Sequence, residues 1–557
     1  MPAQPPLRPA NLARAGLGPS QSQLAGVVLA FVALTVVMTF PLAFRLETLG
    51  RVDNGDGQFS IWNVAWVART LVVDPRHVFD ANIFYPRRWT LVYSESNLGA
   101  GILAIPVYWA TRNPYAAHNF VLLLSFVLSA TGAFALIRYL TADWRAAFIA
   151  AIPFAYCPYV FAHTPHIQLL MTAGLPFGLL ACHRLVDHPD TRRGVILGIT
   201  MVLQTLCCGY YAVFLMLMAG YTLLVLMAIR RLWFNGPFWR AILVAAVTAG
   251  AGAFPLMLPY LNLQSATGFR RSLADSRRYS ADWRAYLASS AYAHAWLLGL
   301  IGHWQEVLFP GVSATVLGAA GTVIGFARGG RARELSLVYG GLAALSCWAS
   351  FGPAGRLYSL LYALAPGFSL LRAPSRFGIV VVLALSVLMG LAISVLLARL
   401  TRPRLVAFLL GLVAAVELLA PSRFVPVQPP SPAYRVLSAL PYGAVLELPV
   451  YSDAFRFVRT RYMLDSTAHW MPLVDAYSDY VPPDSISDSE ALGEFPTEES
   501  FQILKRDHVR YAVFHLDRYG AAIRPPLLER LEAFHAYLRL RYADAHVLLY
   551  EITGFPP

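Results

Sequence analysis

Long apolar runs, separated by short polar stretches, fill most of the chain up to about residue 420. A helix needs about 20 apolar residues to cross the core of a bilayer. The runs therefore predict a polytopic α-helical membrane protein with about eleven transmembrane helices. The predicted spans are 24–44, 119–140, 146–162, 167–185, 194–206, 210–229, 241–261, 309–326, 335–351, 377–398 and 405–420. The short fifth span abuts the sixth, so these two also fit one broken hairpin whose tip stops inside the membrane.

Arginine is concentrated in alternate connections between the predicted spans. One set of loops and span ends holds sixteen arginines against four acids, Asp143, Asp187, Asp190 and Glu334. By the positive-inside rule these loops face the cytoplasm, together with the N-terminal tail, residues 1–23. The arginines are Arg8, Arg14, Arg138, Arg145, Arg184, Arg192, Arg193, Arg230, Arg231, Arg240, Arg328, Arg331, Arg333, Arg399, Arg402 and Arg404.

The longer connections of the transmembrane module, residues 24–421, lie on the opposite side in this topology. They are the first outer loop, 45–118, the second, 262–308, and the third, 352–376. The apolar stretch 98–109 is too short to span, so we predict an interfacial or re-entrant segment there. The orientation requires that this stretch does not cross the membrane.

The composition changes at residue 422, where the Pro-rich SRFVPVQPPSP precedes an ordinary mixture of charged and apolar residues. Strand-like runs VLELPV, YAVFHL and HVLLYEI alternate with helical stretches around 500–506 and 527–540. Residues 422–557 are therefore predicted to form a small α/β domain outside the cytoplasm. This segment has no cysteine and folds without disulfides.

Composition supports a membrane protein, since 57% of the residues are hydrophobic, 13% are charged and the mean hydropathy is +0.53. The net charge of +13 marks orientation and does not indicate a nucleic-acid partner, because no basic run or zinc-ligand pattern accompanies it. Lys505 is the single lysine, which is typical of a GC-rich bacterial genome and favours a bacterial cytoplasmic membrane. Cys157, Cys182, Cys207, Cys208 and Cys347 are interpreted as small buried hydrophobes. The chain has no P-loop, GxGxxG, HExxH or GxSxG motif, which disfavours ATP-driven transport and conventional hydrolysis.

The first outer loop carries the most informative residues. It opens with RVDNGDGQFSIWNVAWVARTL, in which Asp53 and Asp56 follow the first span. Trp62 and Trp66 stand at i and i+4 of a predicted amphipathic helix at the membrane interface. The loop continues with NIFYPRRWTLVYSESNLG, where aromatics such as Tyr85 suit the headgroup level.

These motifs resemble the C-type (GT-C) integral-membrane glycosyltransferases, in particular a poorly characterised bacterial group. The resemblance is carried by GDGQFSIWNVAW, NIFYP with a following NLG, HTPHIQLL, LRAPSRFG and YMLDSTAHWMPLVDAYSDYVPP, and it covers most of the chain. It implies transmembrane helices with amphipathic helices in the first outer loop and a soluble C-terminal domain. The chain departs from better-known members, because a single loop aspartate replaces an adjacent acidic pair and no WWDxG-type motif is present.

The resemblance implies that Asp56 is the general base that deprotonates an acceptor while a sugar leaves a polyprenyl-phosphate donor. The alternative is that Asp56 only caps an interfacial helix. Asp53 is the next candidate, with a solvated loop acid as its alternative. Gly55 and Gly57 are expected to let the backbone approach substrate closely.

Arg372 and Arg376 are the predicted phosphate clamp, because a leaving phosphate at the membrane needs fixed positive charge. Headgroup snorkelling is their alternative role. The second loop adds a basic patch, Arg270, Arg271, Arg277 and Arg278, which we interpret as a lipid-surface contact.

His163 and His166 lie at the outer end of the third span, and Pro165 between them breaks the helix. We expect them to form hydrogen bonds to substrate rather than to hold a metal, and a purely structural role is the alternative. No cofactor and no divalent metal are predicted, because the resemblance implies a monophosphate-linked donor. The substrate-binding prediction also includes Asp53, Trp62 and Tyr85 of the first loop.

The tail contributes His469 and Tyr477 to the predicted substrate-binding set. They belong to a polar and aromatic segment with Trp470, Asp475 and Asp479, for which an ordinary domain interface is the alternative. Glu417 is an acid within a predicted span, and its partner is not evident from sequence.

The sequence thus predicts a membrane glycosyltransferase that uses a polyprenyl-phosphate-linked sugar and modifies a lipid, glycan or protein of the cell envelope. The transfer inverts the anomeric carbon on the outer face of the membrane. The alternative is a glycolipid transporter or flippase, or an envelope-assembly scaffold with the same fold. Transporters commonly contain internal repeats with matching broken helices, and the two halves of this chain show no repeat.

Overall fold

The computed structural model describes residues 21–302, 306–365 and 367–557, and these residues are mainly helical. Most of the predicted N-terminal tail, including Arg8 and Arg14, lies outside the described residues. The membrane-associated region contains helices that are joined by turns, 3₁₀ segments and some longer loops, such as residues 74–97. They are α1 (Gln21–Met38), α2 (Gly55–Val73), α3 (Leu98–Thr111), α4 (Pro114–Thr141), α5 (Trp144–Tyr156), α6 (Pro158–Ala162), α7 (Ile167–Leu170), α8 (Gly174–Asp187), α9 (Thr191–Cys207), α10 (Gly209–Ile229), α11 (Gly236–Thr267), α12 (Leu273–Arg278), α13 (Ala295–Ile301), α14 (Val312–Arg328), α15 (Gly330–Ser350), α16 (Leu357–Leu364), α17 (Gly378–Leu397) and α18 (Pro403–Glu417).

A helix lies at each of the eleven predicted spans. Within the described residues, six helical segments are long and apolar enough to cross a membrane. The chain is therefore a multi-pass membrane protein, and the number eleven stays a prediction. Between α9 and α10 a single residue, Cys208, is extended, so the helices meet at a sharp break. The stretch predicted to be interfacial is α3, a 14-residue helix.

Helix α17 forms the centre of the bundle and is buried along nearly its whole length. It packs against α4, α5, α14 and α15. The face of α14 toward it carries small residues, and a Cβ added at Gly321 would lie 2.0 Å from the carbonyl oxygen of Leu388. Small residues let membrane helices approach closely when there is little hydrophobic driving force between them.

A cluster of ion pairs joins the ends of three helices on the face predicted to be cytoplasmic. Asp187 accepts from Arg230 at 2.6 Å and from Arg331 at 3.2 Å, and Arg230 also contacts Glu334 at 2.7 Å. Three of the loops assigned to one side by the positive-inside rule thus meet on one face of the bundle. The orientation of that face toward the cytoplasm stays a prediction.

The structure identifies the partners of Glu417. Its carboxylate lies 3.1 Å from His294 Nε2 and accepts from the backbone N–H groups of Val312 and Ser313. These N–H groups begin α14, whose unpaired donors and positive dipole end favour an acid. Glu417 thus fastens α18 and the second outer loop to the start of α14.

The first outer loop differs from the expected interfacial arrangement, because α2 is largely buried. The indole of Trp62 is fully buried and donates to Asn82 Oδ1 at 3.1 Å, and Trp66 donates to the carbonyl of Val78 at 2.9 Å. Neither tryptophan is placed for a lipid surface. The predicted helix is present, but the tail covers the face of α2 that was expected to meet headgroups.

The tail contains a four-stranded mixed sheet. Its strands lie side by side in the order β3 (Ala444–Leu448), β4 (Val509–His515), β6 (Val547–Ile552) and β5 (Leu538–Ala543). β3 and β4 are parallel, and the other neighbours are antiparallel. The elements of the tail and of a small second sheet are β1 (Leu49–Gly50), β2 (Val425–Pro426), α19 (Pro432–Ala439), β3 (Ala444–Leu448), α20 (Arg459–Asp465), α21 (Pro483–Gly493), α22 (Glu498–Arg506), β4 (Val509–His515), α23 (Arg524–Ala533), β5 (Leu538–Ala543) and β6 (Val547–Ile552).

Three of these strands coincide with the predicted runs, but β5 lies partly where a helix was expected. The helix α23 ends at Ala533, and LRLRYA then alternates between apolar and basic positions. Period-two alternation favours a half-exposed strand. The strand is held by Glu551 on β6, which pairs with Arg541 on β5 and with Arg510 on β4.

The tail shares a hydrophobic core with the first outer loop. Trp62 and Phe84 of the loop belong to the same buried cluster as Tyr434, Val445 and Val513 of the tail. The amide of Asn82 adds bonds to Ser466 and Met471, and β1 pairs with β2. The tail therefore packs directly on the loop that carries Asp56.

Candidate active site

Asp56 lies in the first turn of α2, and its carboxylate faces a recess between the first loop, the outer span ends and the tail. Asn54 caps the helix, since its side chain accepts from the backbone N–H of Gly57 at 2.9 Å. The capping role considered for Asp56 therefore falls to Asn54. Asp56 keeps 41% of its side-chain exposure, so its carboxylate is accessible to a ligand.

Gly57 and Gly55 permit close packing within the protein rather than an approach to substrate. A Cβ at Gly57 would lie 1.7 Å from the carbonyl oxygen of Arg51, and one at Gly55 would lie 3.0 Å from the ring of Phe457. These contacts correct our expectation for the two glycines. At Gly57 the preceding loop packs closely against the start of α2, and at Gly55 the tail packs against the same helix start.

Asp53 is neutralised by an ion pair. Arg51, only 4% exposed, donates from Nε to Asp53 Oδ1 at 3.0 Å and from Nη1 to the hydroxyl of Thr164. This arginine thus joins the first loop to the segment that carries both histidines. Asp53 is consequently less suited to proton abstraction than Asp56.

His163 and His166 both line the recess as neutral imidazoles. Burial is the main cause that lowers the pKa of each to about 3, with nearby positive charge adding to the effect. His166 Nε2 lies 3.5 Å from Asp56 Oδ2, and His163 Nδ1 lies 2.8 Å from the carbonyl of Tyr159. The neutral ring of His166 is therefore the polar neighbour of the Asp56 carboxylate.

Asp479 from the tail lies between two arginines from different outer loops. Its Oδ1 is 3.0 Å from Arg372 and 3.1 Å from Arg271, and its Oδ2 accepts from Ser94 at 3.1 Å. Burial opposes ionisation, but Arg372 and Arg271 hold the pKa of Asp479 below its ordinary value. An ionised carboxylate therefore anchors the tail to the mouth of the bundle.

Arg376 contributes a buried positive charge without such a carboxylate. Its guanidinium stacks on the ring of Tyr210 at 4.1 Å from the centroid. In residues 21–302, 306–365 and 367–557, no acidic oxygen lies within 4.0 Å of it. The hydroxyl of the same Tyr210 accepts from the backbone N–H of Arg372 at 2.7 Å. Arg376 is therefore available to an anionic ligand.

An apolar cavity of about 200 Å³ opens beside Tyr210, the residue on which Arg376 stacks. Tyr210 and Leu371 line it together with Leu256, Met257 and Tyr260, of which the last three come from α11. Glu95 lies at its polar end and accepts from the N–H of Gly209 at 3.2 Å. A cation beside an apolar cavity suits an anion that carries a hydrocarbon chain.

The charges of the recess act together on Asp56. Burial and the negative charge of Asp479 raise the pKa of Asp56, whereas Arg372 and Arg376 lower it. The net direction is upward, which brings the carboxyl closer to the working range of a general base. The recess therefore contains a carboxyl group and fixed cations within electrostatic reach of one another.

The remaining predicted substrate-binding residues divide into two groups. Tyr477 lies in the half of the site near Asp56. The centre of its ring is 5.9 Å from that of Phe59 and 4.6 Å from that of Phe457. Burial and the negative charges of Asp479 and Asp56 raise the pKa of Tyr477. Trp62 is buried away from ligand, as described above.

The structure places Tyr85 and His469 in the tail packing, outside the recess. Tyr85 packs against the core of the tail sheet, and His469 is stacked on Tyr434 at 5.3 Å. The contacts of Trp62, Tyr85 and His469 stabilise the tail on the first loop, and a binding role for these residues stays a prediction. In the part of the chain that the structure describes, no three His, Cys, Asp or Glu side chains are grouped as metal ligands.

Sequence reasoning missed four residues of the site: Asp479, Arg271, Glu95 and Arg51. Asp479 was noticed only as part of a polar segment, and Arg271 was assigned to a lipid-surface patch. Its neighbours Arg270, Arg277 and Arg278 are exposed, whereas Arg271 is half-buried against Asp479. An acid within the motif YSESNLG was the available signal for Glu95.

Comparison with known proteins identifies the fold. Neither a protein-family model nor a curated protein sequence matches the chain. Among solved structures it is similar to ArnT from Cupriavidus metallidurans bound to undecaprenyl phosphate, with 14% identity and a TM-score of 0.50 over 95% of this chain and 98% of that chain. It is also similar to the mycobacterial arabinofuranosyltransferase AftD, with 14% identity and a TM-score of 0.55 over 97% of this chain and 42% of the longer AftD chain.

These likenesses show that the chain has the fold of the GT-C glycosyltransferases. They confirm the sequence resemblance at the level of the fold. The recess lies where the first outer loop, the outer span ends and the tail of that fold meet.

The close approach at Gly57 generates the first prediction. Gly57→Ala is expected to lower the unfolding temperature of the purified protein, because the added methyl must displace the backbone at Arg51; overpacking of this kind costs about 1–3 kcal/mol. Gly250→Ala in α11 is the control, because nothing lies within 4 Å of its added Cβ. Equal unfolding temperatures for the two variants would show that the turn before α2 is not tightly packed.

Proposed function

We propose that this protein is a membrane glycosyltransferase that moves a sugar from a polyprenyl-phosphate donor to a cell-envelope acceptor. The observation that carries the proposal is that Asp56 and Arg376 lie within electrostatic reach of one another and that Tyr210, on which Arg376 stacks, lines an apolar cavity. The acceptor is a lipid, glycan or protein on the outer face of the cytoplasmic membrane. The GT-C fold supports the class of reaction.

Asp56 is the proposed general base. Its carboxylate takes the proton from the acceptor, the acceptor atom attacks the anomeric carbon, and the bond from that carbon to the phosphate oxygen breaks. A direct displacement of this kind inverts the anomeric carbon. The raised pKa of Asp56 and the neutral His166 beside it support this role, because a general base needs a pKa near the working pH.

Arg376 and Arg372 are the proposed partners of the donor phosphate, on which negative charge develops as the polyprenyl phosphate leaves. Fixed donors in a recess stabilise such charge without reorganisation of solvent. The guanidinium of Arg376 is free of a carboxylate partner among the described residues, so it can receive the phosphate. Arg372 is paired with Asp479 and is expected to add positive charge near the phosphate without being its main contact.

The cavity of about 200 Å³ is the proposed position of the first isoprene units. Its α11 wall is largely exposed on the other side, where the helix faces the surroundings of the bundle. A lipid donor can therefore enter laterally with its phosphate toward Arg376. The similarity to a structure that contains undecaprenyl phosphate supports a donor of this class.

The rival role, a transporter or an inactive scaffold, is not favoured. The solved structures that the chain resembles include a named arabinofuranosyltransferase. A scaffold has no use for a carboxyl of raised pKa placed beside arginines in an accessible recess. An enzyme is therefore the function that these observations support best.

Removal of the base tests the reaction directly. Asp56→Asn is expected to lower sugar transfer by about 10²-fold or more, because general base catalysis contributes about 10² to 10⁴-fold. The measurement is recovery of the missing glycan, by mass spectrometry, in a deletion strain that carries each variant at equal protein level. Glu47→Gln, an exposed acid of the same loop, is the control. Full recovery with Asp56→Asn would exclude Asp56 as the base.

The phosphate clamp is tested without any sugar. Wild-type protein is expected to bind undecaprenyl phosphate more tightly than undecaprenol, and Arg376→Gln is expected to lose about tenfold or more of that preference, since a hydrogen bond to a charged group contributes about 1.5–3 kcal/mol. Arg270→Gln, an exposed arginine of the second loop, should keep the preference. An unchanged preference in Arg376→Gln would place the phosphate elsewhere.

The pH profile tests the electrostatics of the recess. The base acts ionised, so the rate rises with pH through the pKa of Asp56. Asp479→Asn removes a negative charge that raises this pKa, so the acid limb of kcat/KM should move to lower pH. Arg372→Gln removes a positive charge that lowers it, so the limb should move to higher pH. Shifts in the same direction would contradict the assignment of the limb to Asp56.

A further inference from the structure

A second apolar cavity, of about 410 Å³, lies among α3, α4, α8 and α9. The lining residues on α9 recur every three or four positions from Arg193 through Ile196, Thr200 and Leu203 to Cys207. Those fourteen helical steps correspond to about 21 Å. The cavity is therefore a long groove along the helix pair, comparable in length to an acyl chain.

Two arginines line the cavity at the end predicted to face the cytoplasm. Arg184 comes from the last turn of α8 and Arg193 from the first turn of α9. The guanidinium of Arg184 stacks on Tyr139 at 5.4 Å, and within the described parts of the chain no carboxylate lies within 4.0 Å of it. Arg193 contacts Asp190 and donates to the carbonyl of His188 at 2.8 Å. The cavity thus joins an apolar interior to a cationic mouth.

We propose that this cavity binds an anionic phospholipid of the cytoplasmic leaflet. Its phosphate lies between Arg184 and Arg193, and one acyl chain extends along α9 toward Cys207. Basic pockets between transmembrane helices on the cytoplasmic side bind anionic headgroups, and that leaflet supplies anionic lipids. The charge of the mouth selects the headgroup, and the apolar groove accepts the chain.

The sugar donor is the less suitable occupant. Our proposed function places its phosphate at Arg376, and this one step of the reasoning depends on that function. A monophosphate donor cannot satisfy both arginine sites, because they lie at opposite ends of the predicted spans. A donor phosphate at Arg376 therefore leaves the mouth near α8 and α9 open to a different anion.

Lipid binding to the purified, delipidated full-length chain tests the proposal without any transfer assay. Phosphatidylglycerol and phosphatidylcholine are titrated separately and counted on the protein by native mass spectrometry. Wild-type protein should retain phosphatidylglycerol in preference to phosphatidylcholine. Arg184→Gln and Arg193→Gln should each weaken phosphatidylglycerol binding about fivefold, since an arginine near anionic lipid contributes about 1 kcal/mol. Arg192→Gln is the control, because Arg192 is exposed on the same helical turn and does not line the cavity.

A second pair of variants tests the groove itself. Ile196 and Ile199 are similarly exposed on α9, at 44% and 47%, but only Ile196 lines the cavity. Ile196→Trp should reduce the bound phospholipid, and Ile199→Trp should leave it unchanged.

Three outcomes overturn the proposal: equal retention of both lipids, equal weakening by Arg192→Gln, or displacement of phosphatidylglycerol by undecaprenyl phosphate at one equivalent. Either of the first two outcomes would mean that the bound lipid is only part of the annular layer around the protein. The third outcome would mean that the sugar donor occupies the cavity. Because no sugar is measured, the result stands apart from loss of transfer in Asp56→Asn.

Discussion

The ion pairs of Asp479 with Arg271 and Arg372 join three segments that are far apart in the sequence. Asp479 belongs to the tail, Arg271 to the second outer loop and Arg372 to the third. Buried charges are costly unless they are paired and hydrogen-bonded. Each of the three segments therefore depends on the others to compensate its charge. This cluster forms part of the wall of the recess around Asp56. Removal of one partner leaves a buried charge uncompensated, which makes the tail a structural part of the site.

The same electrostatic reasoning separates the acids of the first loop. Arg51 neutralises Asp53, and Asn54 caps α2, so neither task falls to Asp56. Asp56 instead faces a neutral histidine and the negative charge of Asp479, both of which leave its carboxyl able to accept a proton. Two acids three residues apart thus differ in role because of their immediate neighbours. Their positions in the sequence alone do not distinguish them.

Much of the membrane architecture follows from the sequence, because hydropathy is a local property. A helix lies at each apolar run, and the arginine-rich ends meet on one face. Asp56, His163, His166, Arg372 and Arg376 were also predicted, from the resemblance and from their positions at outer span ends. The errors concern contacts between distant segments. Trp62 and Trp66 have an interfacial pattern, but the tail, more than 350 residues later, buries them. Arg271 differs from its exposed neighbours through its ion pair with Asp479, and β5 forms beside β6, where Glu551 pairs with its arginines.

The two cavities meet at the Cys207 end of α9, whereas the arginines of the second cavity lie toward the other end of that helix. Leu206 of α9 lines both, and a Cβ at Gly99 of α3 would lie 2.8 Å from Cys207 Sγ. The helices α3 and α9 are therefore in direct contact where the cavities meet. A phospholipid that holds α9 against α8 would also fix the position of Leu206, and with it the shape of the donor cavity. Since a ligand shifts an equilibrium only through its differential affinity for two arrangements, such coupling requires that α9 move relative to α3. The break at Cys208, where one extended residue separates α9 from α10, is the point in the fold that would accommodate that movement.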